Sequence, residues 1–143
     1  MEYCTFAIQR LKDYSYRKKA VENIPLQIEN LERQYYAIKS PSYDGMPKGG
    51  GGNEDILINN IAKREELKFN LEVAKREVDL TEKGFSSLSD DEKTVLEYFY
   101  IARPSGHIRK LQEKLFISQT EVFRRKDIAL KKFTMGMYGV CDI

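Results

Sequence analysis

Apolar side chains recur along most of this chain at the three-and-four spacing of an α-helix, interrupted in a few places by clear breakers. The first periodic run goes from Tyr3 to about Glu22, with Tyr3, Ala7, Arg10 and Tyr14 on one stripe and Cys4, Ile8 and Leu11 on the next. Pro25 is expected to stop this helix, because proline lacks a backbone donor and disfavours helical geometry in the residue before it. It can equally occupy the first turn of the helix that follows. That helix carries Ile24, Ile28, Leu31, Tyr35 and Ile38, the seam of a coiled coil or a helical hairpin. Between Ser40 and Asn53, two prolines and five glycines predict a flexible loop, residues 40–53. A long helix from about Glu54 to Lys83 comes next, its stripe of Leu57, Ile61, Leu67, Leu71, Ala74 and Val78 widened by Ile58, Phe69 and Val73. Two striped helices joined by such a loop are expected to fold back as an antiparallel hairpin. The wide stripe leaves room for a further partner, the first helix or another copy of the chain. Gly84 reads as the residue that ends the long helix.

Past Gly84 the helices shorten and their boundaries sharpen. Ser89 and Glu92 have the spacing of a capping box, and Asp90 and Asp91 suit the positive end of a helix dipole. The helix they open turns Val95, Leu96 and Phe99 inward and stops at Arg103–Gly106. A second short helix, about His107 to Leu115, buries Ile108, Leu111 and Leu115; the turn is Phe116 and Ile117. Ser118 and Glu121 read as a second capping box, opening a helix to about Phe133. Leu111 and Leu115, a short turn, then Val122, Ala129, Leu130 and Phe133 give the core spacing of a helix-turn-helix. With Val122 inward, Gln119, Thr120, Phe123, Arg124 and Asp127 face outward. Arginine and glutamine there can contact guanine or adenine bidentately, and threonine or phenylalanine can pack on a thymine methyl. Phe123 has an equal alternative, packing against the module's own first helix. Arg125, Lys126, Lys131 and Lys132 are expected to serve phosphates, and Ser118, at the helix start, is counted with them among the DNA-binding residues.

Charge sharpens this picture. The 143 residues carry a net charge of only +2. Between Ser105 and Phe133, however, eight bases stand against three acids, leaving +5 on about one helix pair and a net acidic remainder. A local basic patch on a nearly neutral chain is the footprint of a DNA-reading face attached to something else. The length suits one domain, or one small domain with a helical appendage. The division expected is 1–84, a helical hairpin and oligomerisation region, and 85–143, the helix-turn-helix module.

Other chemistries find little support. No apolar run reaches the roughly 18 residues of a membrane span, and no apolar segment followed by a small-residue cleavage site marks the N-terminus for export. Cys4 and Cys141 stand at opposite ends; a bridge requires the termini to meet, and free thiols in a reducing compartment are expected. His107 is the single histidine, which rules out a multi-histidine metal site, and it reads as a surface or helix-start residue. The glycine run lacks the lysine and hydroxyl ending of a phosphate loop. With no nucleophile–base constellation and no paired carboxylates, neither catalysis nor a cofactor is expected.

The segment Ile117–Phe133, ISQTEVFRRKDIALKKF, resembles the recognition helix of sigma factor region four. It resembles more closely the ArpU/RinA-type late transcription regulators of Gram-positive bacteriophages, in which a serine cap is followed by an aromatic, basic residues and an alanine–leucine pair. Ser118, Phe123, Arg124, Lys126, Ala129 and Leu130 match that pattern. The stretch SPSYDGMPKGGGG is similar to a loop between coiled-coil helices in related phage proteins of unassigned function. The resemblance implies an all-α protein acting in a bacterial cytoplasm as a sequence-specific regulator of phage or prophage genes, with double-stranded DNA as partner and a homo-oligomeric state. A rival expectation is a protein-interaction protein that docks on or sequesters a host factor, RNA polymerase or a defence protein.

Overall fold

The computed structural model describes residues 2–40 and 50–142. Every regular element among them is helical: α1 (Glu2–Lys39), α2 (Gly50–Phe85), α3 (Asp90–Leu96), α4 (His107–Leu115) and α5 (Gln119–Tyr138). A π-helical turn, Glu97–Ile101, continues α3. The expected all-α class is therefore the class observed.

Several boundaries differ from the sequence expectation, the simplest being α5, which runs to Tyr138, past its expected end at about Phe133. Pro25 does not end the first helix; α1 runs through it for 38 residues. One backbone hydrogen bond is lost there. The good helix formers on either side, Arg17–Glu22 and Gln27–Arg33, carry the helix across. A further difference is that α2 begins at Gly50, inside the expected loop, and ends at Phe85, so Gly84 lies within it and is no cap. The rest of the expected loop, 41–49, lies outside the described residues.

The chain divides into two compact units: residues up to Arg17 together with those from Arg76 onward, and Lys18–Lys75. The expected division at residue 84 follows a different line, because both ends of the chain enter one core. Ala7 and Leu11 of α1 join Leu88, Leu96, Ala129, Leu130, Phe133 and Met137 in a buried cluster. Nearby, the Tyr3 and Tyr138 rings pack at 5.6 Å, and the Cys4 backbone N–H donates to Asp142 Oδ1 at 3.1 Å. Both cysteines are free thiols. Glu77 on α2 takes Arg17 at 2.7 Å and Arg10 at 3.4 Å.

Gly84 has a packing function in this unit. A Cβ on it would stand 2.6 Å from the Phe133 ring, and one on Gly136 would stand 3.2 Å from the Gly84 backbone. Helices α2 and α5 thus cross with two glycines at the contact, and any side chain at Gly84 must displace Phe133. A smaller cluster, Val95, Leu111 and Val122, ties α3, α4 and α5 together, with Tyr98, Phe99, Ile108, Leu115 and Ile117 around it.

In the Lys18–Lys75 unit the two helices meet at Asn60. Its amide donates to the Leu31 carbonyl at 2.8 Å, and its oxygen accepts from Arg64 Nε at 2.9 Å. The Arg64 guanidinium lies 4.9 Å from the centre of the Tyr35 ring. A buried amide in an otherwise apolar seam favours one register over its neighbours.

Candidate nucleic-acid interface

Helix α4, the three residues Phe116–Ser118 and helix α5 form the candidate site. Local chemistry fixes each end. Gly106 enters α4 in the left-handed region at φ 68°, and Phe116 leaves it at φ 57°, an uncommon conformation for a large side chain. Phe116 is also 92% exposed, so this aromatic projects from the turn into solvent. Ser118 Oγ accepts the Glu121 backbone N–H at 3.2 Å, the first half of the expected capping box.

The second half of that box does not form. The Glu121 carboxylate turns along the helix and accepts two hydrogen bonds from Arg124, Nε to Oε2 at 2.7 Å and Nη2 to Oε1 at 2.6 Å. Arg125 Nε adds a third at 3.2 Å. Charge-assisted bonds at spacings of three and four outcompete a neutral backbone N–H. The hydrogen bond from Arg124 is the main reason that the Glu121 carboxyl is pulled down to about 2, with that from Arg125 adding to it. By contrast, the Ser89 and Glu92 box at the start of α3 is complete. There, hydrogen bonds from the Ser89 backbone and from Lys132 outweigh burial and hold the Glu92 carboxyl below the usual range.

With Val122 fully buried against Leu111 and Val95, the outer face of α5 follows from helix geometry. Gln119, Thr120, Phe123, Arg124, Asp127 and Lys131 are all exposed, and Thr120, Arg124, Asp127 and Lys131 fall on one stripe at spacings of four, three and four. The remaining expected DNA contacts are held elsewhere. Lys126 is half-buried, 5.7 Å from the Phe99 ring centre, with its ammonium 3.0 Å from Asp127. Arg125 leans on Glu121. Lys132 reaches Glu92 at 3.0 Å, at the cap of α3. Phe123 takes the packing alternative, its ring 6.0 Å from that of Phe99, and it stays 39% exposed.

Phe99, expected as an inward residue, is the aromatic hub of the module, and its contacts with Phe123 and Lys126 were not legible from spacing. It also takes the edge of His107 at 4.9 Å. His107 does open α4, as one of its two expected placements has it, but it is buried and not a surface residue. Its Nε2 has no hydrogen-bond partner among the described residues. Burial, reinforced by Arg103, lowers its pKa from the ordinary 6.5. The signal available beforehand was its spacing of four from Leu111 and eight from Leu115, the inward positions of α4.

Elsewhere, an open cleft of about 420 Å³ is lined by Tyr14, Glu82, Phe85, Ser86, Lys93, Glu97 and Ile101. Tyr14 donates to Glu82 across it at 3.3 Å. Among the described residues no cluster of histidine, cysteine and acids is placed to hold a metal ion, and no helix is long and apolar enough to cross a membrane. The chain matches no family model, no curated protein and no solved structure.

Proposed function

We propose that α4, its turn and α5 read double-stranded DNA as a helix-turn-helix, and that the protein regulates transcription of phage or prophage genes as the ArpU/RinA resemblance implies. The observation that carries this is the outer face of α5. A capped helix, seated on the buried Val122–Leu111–Val95 contact, presents Gln119, Thr120, Phe123 and Arg124 together from its first turns. Those are the turns that a recognition helix presents to base edges in the major groove. In this reading Lys131 and the α4 bases Arg109 and Lys110 serve phosphates, and the long helices α1 and α2 pair as a hairpin that brings two copies together.

The test is retention of fragments of the source genome by the purified protein at two salt concentrations, with sequencing of what is retained. Enrichment of one upstream region, weakening steeply with salt, supports the reading. Arg124→Ala should then reduce operator binding more than Lys132→Ala, since the first faces outward and the second is tied to Glu92. Equal, small losses in both would sink that assignment of roles.

A second reading, a surface that docks on RNA polymerase or another host protein, is favoured by one observation. Within Lys18–Lys75, helix α2 leaves Ile56, Ile58, Ile61 and Phe69 exposed. A stable dimer by light scattering that Phe69→Asp breaks, together with genomic enrichment, would show those residues covered by a second copy and leave that reading without a purpose.

A further inference from the structure

We infer that Glu121 is the specificity-determining residue of α5: it withholds Arg124 and Arg125 from backbone phosphates while leaving Arg124 free to read a base. The inference rests on α5 being a DNA-reading helix. The module is strongly basic by count, yet on α5 Arg124 and Arg125 share Glu121, Lys126 is paired with Asp127, and Lys132 is paired with Glu92. Among the described residues, Lys131 is the one cation of the helix with no acidic partner.

The geometry at Arg124 separates two uses of the same side chain. A guanidinium has five N–H donors, and Glu121 occupies two of them, one on Nε and one on Nη2. The outer edge, formed by Nη1 and the second Nη2 hydrogen, remains open, and the side chain is 61% exposed. That edge matches the paired O6 and N7 acceptors of guanine. Held by two bonds, the fork approaches a base in one orientation with its rotamer already fixed. A phosphate gains less from it, because the carboxylate cancels one of the two arginine charges nearby, and non-specific binding scales with the charge delivered. Both arginines lie within four residues of Glu121, so the device is local to the first turns of α5. The low pKa of Glu121, about 2, keeps the carboxylate charged at any pH at which DNA stays duplex.

The experiment compares the full-length protein with Glu121→Gln and Arg124→Lys on two probes: a pool of random-sequence duplexes, and the duplexes that the wild type selects from it. Glu121→Gln retains the Ser118 cap, which uses the residue's backbone N–H. A melting curve confirms folding. On the random pool, Glu121→Gln should bind more tightly, with a salt slope steeper by about one. Its preference for the selected sequence over the pool should fall about tenfold. Arg124→Lys should lose the preference as well, but with an unchanged salt slope, because the charge stays and the fork is gone. If the wild type discriminates and Glu121→Gln matches it on both probes, the inference is overturned and the DNA reading stands. If neither protein binds any duplex at low salt, the DNA reading fails and takes the inference with it.

Discussion

The Lys18–Lys75 unit and the unit formed by the two ends of the chain are both helical, but different interactions hold them together. In the first, two residues among those described are buried, Asn60 and Ala74, while Leu26, Tyr36, Ile56, Ile58, Ile61 and Phe69 are exposed. Its helices meet along half-buried apolar residues, with one amide bridge and two cations over Tyr35. In the second, two apolar clusters close around Phe133 and Val122, and helices α3 and α5 each start at a side-chain cap. Helical periodicity alone therefore does not report stability; what matters is whether the stripe finds an opposing surface.

Phe133 is the residue on which the second unit depends most. Phe133→Ala empties the centre of the larger cluster and should cost about 3–5 kcal/mol in denaturant titration. Hydrogen exchange that sped up within Lys18–Lys75 alone would contradict the assignment of this core. Gly84→Ala comes next, at about 1–3 kcal/mol, because its methyl must displace the Phe133 ring; a neutral result by thermal melting would mean that α2 and α5 cross less closely. In the other unit, Asn60→Ala should cost about 1 kcal/mol. Amide exchange should place that loss within Lys18–Lys75, whose amides are expected to exchange faster than those of α5 even in the wild type.

The smallest effect concerns pH. The folded-state pKa of His107 is depressed, so the unfolded chain takes up its proton first as pH falls. Its contribution to stability is full above the unfolded value of about 6.5 and declines as pH drops through and below it. His107→Leu, which keeps an apolar contact with Phe99, should flatten the change in melting temperature between pH values of about 7.5 and about 5.5, on either side of that value. An unchanged slope would place the acid sensitivity elsewhere.

What the sequence revealed was what short-range chemistry decides. The Ser89 box, the Ser118 cap, the limits of α4 and the inward positions Val122, Ala129, Leu130 and Phe133 all depend on neighbours within a few residues. The outward set on α5 follows from the same periodicity. What stayed hidden depends on groups far apart in the chain. Gly84 has the composition of a cap, and only the arrival of Phe133 from 49 residues later makes it a crossing point. Ala7 and Leu11 carry no mark that assigns them to the core of α5. At Glu121 two local motifs compete, a capping box toward Ser118 and ion pairs toward Arg124 and Arg125. Spacing allows both, and the charge on the donors decides between them.

The turn between α4 and α5 has an optical consequence. The chain contains no tryptophan, and Phe116 stands almost wholly in water at the tip of a fixed left-handed turn. An indole placed at that position would be the protein's single such fluorophore, emitting at the red limit of a hydrated ring. Any duplex or protein that came to rest against the turn would move its emission to the blue, giving a signal from one known point on the surface.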